Sequence, residues 1–417
     1  MMAAQMANAK REATVFAFPV DVANEGAKSA IGRIADAGMD GISLAALYHD
    51  GRDLLPHNPR HRIKFQEDGV TFFNADASFF PRDGIQPLRA ATDNDSKSFE
   101  NVMSAARNRG LSVIAWTVFL HNTSLGRRNP NAVNRNVYGD PQFTSICPAN
   151  PATVAYSLGV VRALVAQGVD AINAEGLHFL PLEHGYHHER YFLRIGPIDR
   201  LLLGLCFCTH CMRVAANHGV DTVALQNAVR GRLDRVFDSS DSFDPSDDTP
   251  ELVNSMWSGE LGAFLRSREA TVTQLAEQMH QVLRESSTNF IFNDPAGAFQ
   301  QPGDAYSDES WRIGIDTHEI SKACDAVQVL AYGSSPAKIE ENVRRYRQLL
   351  ANDLPMRVAL RPMWPDCDSM ENLTAKLKSV QVDGVVAADF YAYDFMRIEE
   401  LDRVKNSIVA ADWISTL

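Results

Sequence analysis

Short, continuous runs of Val, Ile, Ala and Phe alternate with longer stretches of helical periodicity along most of the chain. The short runs predict eight strands, at 14–19, 41–46, 112–118, 171–175, 289–294, 326–332, 356–361 and 384–390. Continuous apolar runs, rather than alternating ones, mark parallel strands covered on both faces. Helical patterns lie between them, as at 29–37, 99–109, 153–167, 339–351 and 371–380. Eight strands alternating with helices predict an α/β fold, a (β/α)8 TIM barrel, rather than a doubly wound open sheet.

A short phrase recurs where a helix gives way to a strand. It reads Gly38-Met-Asp-Gly-Ile42, Gly168-Val-Asp-Ala-Ile172, Cys324-Asp-Ala-Val327 and Val382-Asp-Gly-Val385. The aspartates in these phrases are expected to be structural and to sit on the bottom face of the barrel. Long excursions interrupt the rhythm after strands two, three and four. Segments that follow strands lie on the catalytic face of this fold, where substrate pockets are built. The longest, 176–287, is expected to be a helical insertion with a cluster of cysteines, within a single barrel domain spanning 1–417. It contains a helical pattern at 251–285 and an Asp/Ser-rich stretch at 238–249 that reads as a solvated linker.

With 417 residues, 45% hydrophobic and 22% charged, the chain can bury a full barrel core. Its formal charge of -12 argues against a nucleic-acid partner, which needs clustered Lys and Arg. A neutral or polyhydroxylated small molecule suits it better. No run reaches the roughly 18 apolar residues of a membrane span. The polar, Ala-rich start lacks the apolar core of a secretory signal, so the expected location is cytoplasmic, with no membrane partner. The composition leaves open whether the chain forms a homo-oligomer.

Three strand tips carry carboxylates: Glu175 after Ala171-Ile-Asn-Ala, Asp294 after Phe290-Ile-Phe-Asn, and Asp389 in strand eight. An apolar strand running into an acid aims it at the barrel mouth. Paired carboxylates are what glycoside hydrolysis requires, one as acid and one as nucleophile or base. These three are the catalytic candidates. Around them, Asp21, Tyr48, His49, Trp116, His121, His184, His187, Tyr332, Arg361, Trp364 and Tyr391 are expected to contact substrate. Aromatic rings beside carboxylates at successive strand tips describe a carbohydrate cleft.

The loop His184-Gly-Tyr-His187-His188-Glu189 offers either substrate contacts or ligands for a catalytic metal. Cys206-Phe-Cys208-Thr-His-Cys211 places three thiols at i, i+2 and i+5, a spacing that wraps one tetrahedral ion lacking a single ligand. Cys147, in Ser145-Ile-Cys147-Pro148, is the sensible fourth, with His210, awkwardly close to Cys211, as the alternative; this gives a structural zinc site, and reduced thiols packed under the loop are the other reading. No organic cofactor is expected.

Several phrases resemble uncharacterised barrel proteins classed as hypothetical glycoside hydrolases. They are Tyr48-His49, Leu55-Pro-His-Asn-Pro59, Trp116-Thr-Val-Phe-Leu-His121, Cys147-Pro-Ala-Asn-Pro151, His184-Gly-Tyr-His187-His188-Glu189 and Leu205-Cys-Phe-Cys208. The chain is also distantly similar to the family 42 β-galactosidases, in which an upstream Cys and a Cys-x-Cys-x-x-Cys run bind structural zinc. That likeness implies Cys147, Cys206, Cys208 and Cys211 as the ligands. Those galactosidases carry Asn-Glu at the end of strand four and a Glu nucleophile on strand seven. Here strand four ends Asn173-Ala174-Glu175, and strand seven ends Arg361-Pro-Met-Trp364 with no Glu. A pair drawn from Glu175, Asp294 and Asp389 is therefore the economical expectation.

The sequence thus points to a glycoside hydrolase acting on a small or oligomeric saccharide. A metal-dependent lyase or isomerase on a sugar-like substrate, and a non-catalytic carbohydrate-binding barrel, are the alternatives.

Overall fold

The computed structural model describes residues 11–91, 97–186, 188, 190–295, 307–351 and 353–413. Eight parallel strands close on themselves: β1 Glu12–Ala17, β2 Gly41–Tyr48, β3 Ser112–Val118, β4 Ala171–Glu175, β5 Asn289–Asp294, β6 Ala326–Leu330, β7 Met356–Leu360 and β8 Val385–Phe390. Each pairs with its sequence neighbours, and β1 pairs with both β2 and β8, so the sheet has no open edge. This is the closed barrel with flanking helices expected from the pattern of apolar runs.

The connecting helices are α1 Ala27–Asp36, α2 Ser98–Asn108, α3 Pro151–Gln167, α4 Glu260–Leu283, α5 Thr317–Ile320, α6 Pro336–Leu349, α7 Met370–Ser379 and α8 Ile398–Ala410. Their ends follow local chemistry. The Asn150 side chain accepts from Ala152 N ahead of Pro151 at the start of α3, and the chain leaves α3 through Gly168 at φ 76°. Ser335 and Ser369 cap α6 and α7 in the same way.

The recurring aspartates have a definite function in the barrel. Asp40 accepts from Ala13 N at 3.0 Å, Asp170 from Val113 N at 2.8 Å and Asp325 from Phe290 N at 2.8 Å. Each sits just before an even-numbered strand and takes the first free N–H of the odd-numbered strand beside it. Such N–H groups would otherwise be orphaned at the rim. In the fourth phrase, the carbonyl of Gly384 accepts from Met356 N instead.

The helical pattern at 251–285 is two helices in the structure, Pro250–Ser255 and α4. Trp257 and Ser258 take left-handed φ angles of 49° and 59° and turn the chain sharply between them. Between β2 and α2, the segments Gly51–Leu54 and Ile63–Gln66 form an antiparallel hairpin. Between β3 and α3 lies a second antiparallel pair, Val133–Arg135 with Pro141–Ile146. Between β4 and α4 lie Pro197–Gly204, Thr209–Asn217 and Thr222–Asp238, whose apolar faces share a core of their own with Leu261 and Phe264 of α4. Among the described residues, no helix is long and apolar enough to cross a membrane.

Candidate active site

Side chains alternate along a strand, so the interior of the barrel is built in layers. The lowest is apolar: Ile114, Ala171, Ile291 and Ala326 pack together. The next is polar. Asn173 and Asn293 both donate to Gln328 Oε1 at 2.8 Å, and Gln328 donates to Asp389 Oδ2. Thr14 Oγ1 donates to Asp389 Oδ1 at 2.6 Å, and Arg357 donates to both oxygens, at 2.7 and 3.1 Å. Above this layer the strands deliver Phe16, Trp116, Glu175 and Tyr391 toward the mouth.

This layering separates the three carboxylates. On β4 the inward positions are Ala171, Asn173 and Glu175, so Glu175 is the one that reaches the top. Asp389 lies one layer down, fully buried, with both oxygens taken up by Thr14, Gln328 and Arg357. It is the anion of a barrel-core ion pair rather than a cleft residue. Asp294 follows the inward-facing Asn293 and so shares the outward parity of Phe290 and Phe292. It is buried, and Ser310 Oγ donates to its Oδ2 at 2.7 Å behind the sheet. The sequence reading placed all three at the mouth; the period-two alternation turns one away and sinks another.

Glu175 is largely buried and accepts from the indole N–H of Trp116 at 2.5 Å. Burial pushes its carboxyl up from the usual range, while the Trp116 bond and nearby His49 oppose that rise. Trp116 is itself wholly buried and packs edge-on against Tyr48 and Tyr391, with centroids 4.4 and 5.6 Å away. The hydroxyls of Tyr48 and Tyr391 are 3.5 Å apart. Burial raises Tyr48, Tyr332 and Tyr391, and the charge of Glu175 adds to the rise in all three, so these phenols stay protonated. The Arg361 guanidinium lies 4.1 Å from the Tyr332 ring centre and pairs with buried Asp366 at 2.6 Å. Trp364 is 81% exposed, out on the rim of the loop after β7.

A row of imidazoles extends the wall. His49 stacks on Tyr48 at 4.3 Å and on His121 at 4.6 Å, and His184 meets His121 edge-on at 4.9 Å. Burial, then the neighbouring histidines, pushes His121 down to about 2, so it is a neutral ring at any working pH. Stacked rings present faces to one another, whereas metal ligands converge ring nitrogens on one point. Among the described residues, only cysteines bring three or more ligand atoms together. His187 lies outside the described residues.

Asp21, expected in the cleft, is buried beside it. Its two oxygens accept from Asn58 and Lys64, each at 2.8 Å. Glu25 pairs with His57 at 2.8 Å and with Arg33, and accepts from Tyr393 at 2.9 Å. His57 in turn donates to the Tyr393 carbonyl at 3.0 Å. These contacts anchor the hairpin to the segment that follows β1 and to the exit of β8. The sequence reading missed the hairpin's own acid, Asp53, which stands directly opposite Lys64. Alternation in Gly51-Arg-Asp-Leu and Ile63-Lys-Phe-Gln was its signal: Asp53 and Lys64 share the inner face, while Leu54, Ile63 and Phe65 are exposed.

The four cysteines come together. The Sγ atoms of Cys147, Cys206, Cys208 and Cys211 all lie within 4.8 Å of one another, and all four residues are buried. Cys147 is 3.6 Å from Cys208 and 3.4 Å from Cys211. Four thiolates around one ion, with metal–sulfur bonds of about 2.3 Å, stand about 3.8 Å apart, so the set fits a tetrahedral metal. The backbone N–H of Arg135 points at Cys206 Sγ at 3.3 Å, and the buried Arg268 guanidinium lies in the field of Cys211, Cys206 and Cys147. Both would offset the negative charge of a four-thiolate site. The cluster could thus hold a metal ion, tying the excursion after β3 to the one after β4.

No protein-family model matches the sequence, and no curated protein does. Solved structures do. A β-galactosidase from the psychrophilic Marinomonas ef1 superposes with a TM-score of 0.56 at 12% identity, over 96% of this chain and 59% of that one. A β-galactosidase from Halorubrum lacusprofundi gives 0.55 at 13%, over 96% and 58%. The catalytic domain of a β-amylase from Paenibacillus polymyxa gives 0.59 at 10%, over 98% and 100%. The chain therefore spans under three-fifths of either galactosidase, and at these identities the likeness is one of fold.

Proposed function

We propose that this protein is a glycoside hydrolase acting on a small or oligomeric saccharide, with Glu175 as a carboxylate at the reacting carbon. The observation that carries this is Glu175 itself: an acid at the inner tip of β4, held by the indole N–H of Trp116, against which Tyr48 and Tyr391 pack. A Trp N–H can only donate, so it favours the ionised acid and fixes its direction. Aromatic walls suit the apolar faces of a sugar ring, and tyrosine hydroxyls suit its hydroxyls. The alternative with a catalytic metal among the cleft histidines gains nothing from rings that stack. We assign the four cysteines to a structural zinc that holds the cleft's loops and takes no part in the chemistry.

Fold alone supports no particular chemistry, so activity decides. Purified protein, wild type and Glu175→Gln, would be screened against nitrophenyl glycosides and natural oligosaccharides. Hydrolysis that disappears in the variant supports the proposal. Saccharide binding without turnover by wild type would make it a carbohydrate-binding barrel instead. Full activity in the variant would remove Glu175 from the reaction.

A further inference from the structure

Glycoside hydrolysis needs a second carboxyl group, and neither Asp294 nor Asp389 can supply it from where it lies. We infer that Asp53, carried on the hairpin after β2, is the proton donor of the cleft, delivering its proton to the departing glycosidic oxygen opposite Glu175. This rests on the glycosidase reading above and deepens it.

Four observations support it. First, Asp53 and Lys64 are cross-strand neighbours on the hairpin's inner face, yet Lys64 gives its ammonium to Asp21 at 2.8 Å. Asp53 is left beside a cation that is already engaged. Second, Asp53 Oδ2 is buried and has no hydrogen-bond partner in the protein. A buried carboxyl oxygen without a donor is costly as an anion and fits a protonated acid awaiting an acceptor. Third, Asp53 acts electrostatically on Tyr391, as Glu175 does, and both carboxyls feel His49. Lys64, directly opposite Asp53, also stands 5.6 Å from the Phe18 ring centre, and Phe18 packs on Tyr48 and Trp116 at 5.1 and 5.3 Å, so the hairpin's inner face lies against the aromatic box that holds Glu175. Fourth, burial lifts Asp53 to about 6, with Asp21 adding to the rise and Lys64 and His49 opposing it. A donor must hold its proton at working pH, and this one does so over the acidic range.

The hairpin is also rigidly placed. Asp21 with Asn58 and Lys64, and Glu25 with His57, pin it at both ends of the turn. Of the other acids nearby, Asp366 is committed to Arg361, and Asp394 gives Oδ2 to the Phe18 N–H while its Oδ1 is buried without a partner.

In the step, the bond between the anomeric carbon and the glycosidic oxygen breaks, and its electron pair leaves with the oxygen. That oxygen takes the proton of Asp53 and departs as a hydroxyl. Over the full cycle one water is consumed: its hydroxyl ends on the anomeric carbon and its remaining proton restores the carboxyl pair. No other reactant is required.

The test compares two substrates of the same sugar, a dinitrophenyl glycoside, whose leaving group needs no proton, and a disaccharide, whose leaving group does. Asp53→Asn should lower kcat/KM for the disaccharide by on the order of 10²–10⁴-fold and lower kcat/KM for the dinitrophenyl substrate far less. Glu175→Gln should lose both. Asp53→Glu carries the same comparison should the asparagine variant not fold: a displaced donor slows the disaccharide selectively. Equal losses on both substrates, or wild-type rates on both, would overturn the assignment while leaving Glu175 in place. Wild-type protein inactive on every glycoside would overturn the parent reading first.

Discussion

The indole of Trp116 and the carboxylate of Glu175 form one unit, with Nε1 and Oε2 2.5 Å apart. They come from adjacent strands at nearly the same height, Glu175 in register with Val118 two residues beyond Trp116. The donor that orients the acid is thus part of the barrel wall and moves no more than the wall does.

Replacing Trp116 with Phe keeps the ring packing and removes the donor. The N–H stabilises the ionised form, so its loss raises the Glu175 pKa further. The acidic limb of the pH–rate profile should move to higher pH, while activity on the plateau persists. A limb that stays in place would mean that Trp116 only packs.

A second prediction concerns the opposite limb. A donor works while protonated, so activity should fall as pH rises through about 6, where Asp53 loses its proton. The facing charged groups are Lys64 and His49, which lower that value, and Asp21, which raises it. Steady-state rates on a disaccharide across pH 4–9 would show the decline in wild type and its absence in Asp53→Asn.

Asp389→Asn should damage stability rather than chemistry. Breaking a buried ion pair from one side typically costs about 3–5 kcal/mol, because Arg357 is left buried with half its partners. Denaturant unfolding should report that loss, and kcat per folded molecule should be little changed. A collapse in kcat with intact stability would return Asp389 to the reaction.

The cysteine cluster makes a prediction about composition. Purified protein should carry about one zinc per chain, and Cys208→Ser should carry far less. Loss of a few kcal/mol would lower the melting temperature of a chain this size by roughly 2–5 °C. Elemental analysis and thermal unfolding with and without a chelator read both quantities.

His57 gives a pH-dependent stability term. Burial alone would lower its pKa, but the hydrogen bond to Glu25 and that to the Tyr393 carbonyl raise it overall. A group raised on folding contributes stability that is fully present below its unfolded pKa, about 6.5, and is lost as pH climbs through the higher folded value. The gap in melting temperature between wild type and His57→Gln should therefore shrink as pH rises from 5 to 9.

The architecture was legible in the residues because continuous apolar runs and helix-end phrases repeat around a closed barrel. β3, β4 and β5 begin and end where their apolar runs do. The position of Glu175 at the inner tip of β4 was legible as well, since an apolar strand running into an acid aims it at the mouth. Asp294 and Asp389 misled because strand ends were read without their parity. Asn173, Asn293 and Gln328 mark the inward positions, and Asp294 falls on the other face. Asp389 needed its partner Arg357, on the next strand but 32 residues away. Asp53 escaped notice because a four-residue hairpin strand carries too little apolar signal to stand out from a loop.

The contacts that frame the cleft join the two ends of the chain. Phe18 N donates to Asp394 across 376 residues, and Tyr393 reaches Glu25 across 368. Tyr48 meets Tyr391 across 343. During synthesis, the hairpin and Trp116 emerge early and find Asp21, Glu25 and Tyr48 beside them, but the Tyr391 and Tyr393 contacts wait for β8. The cleft is therefore complete only once β8 has joined, and activity in a folding assay would mark the moment of barrel closure.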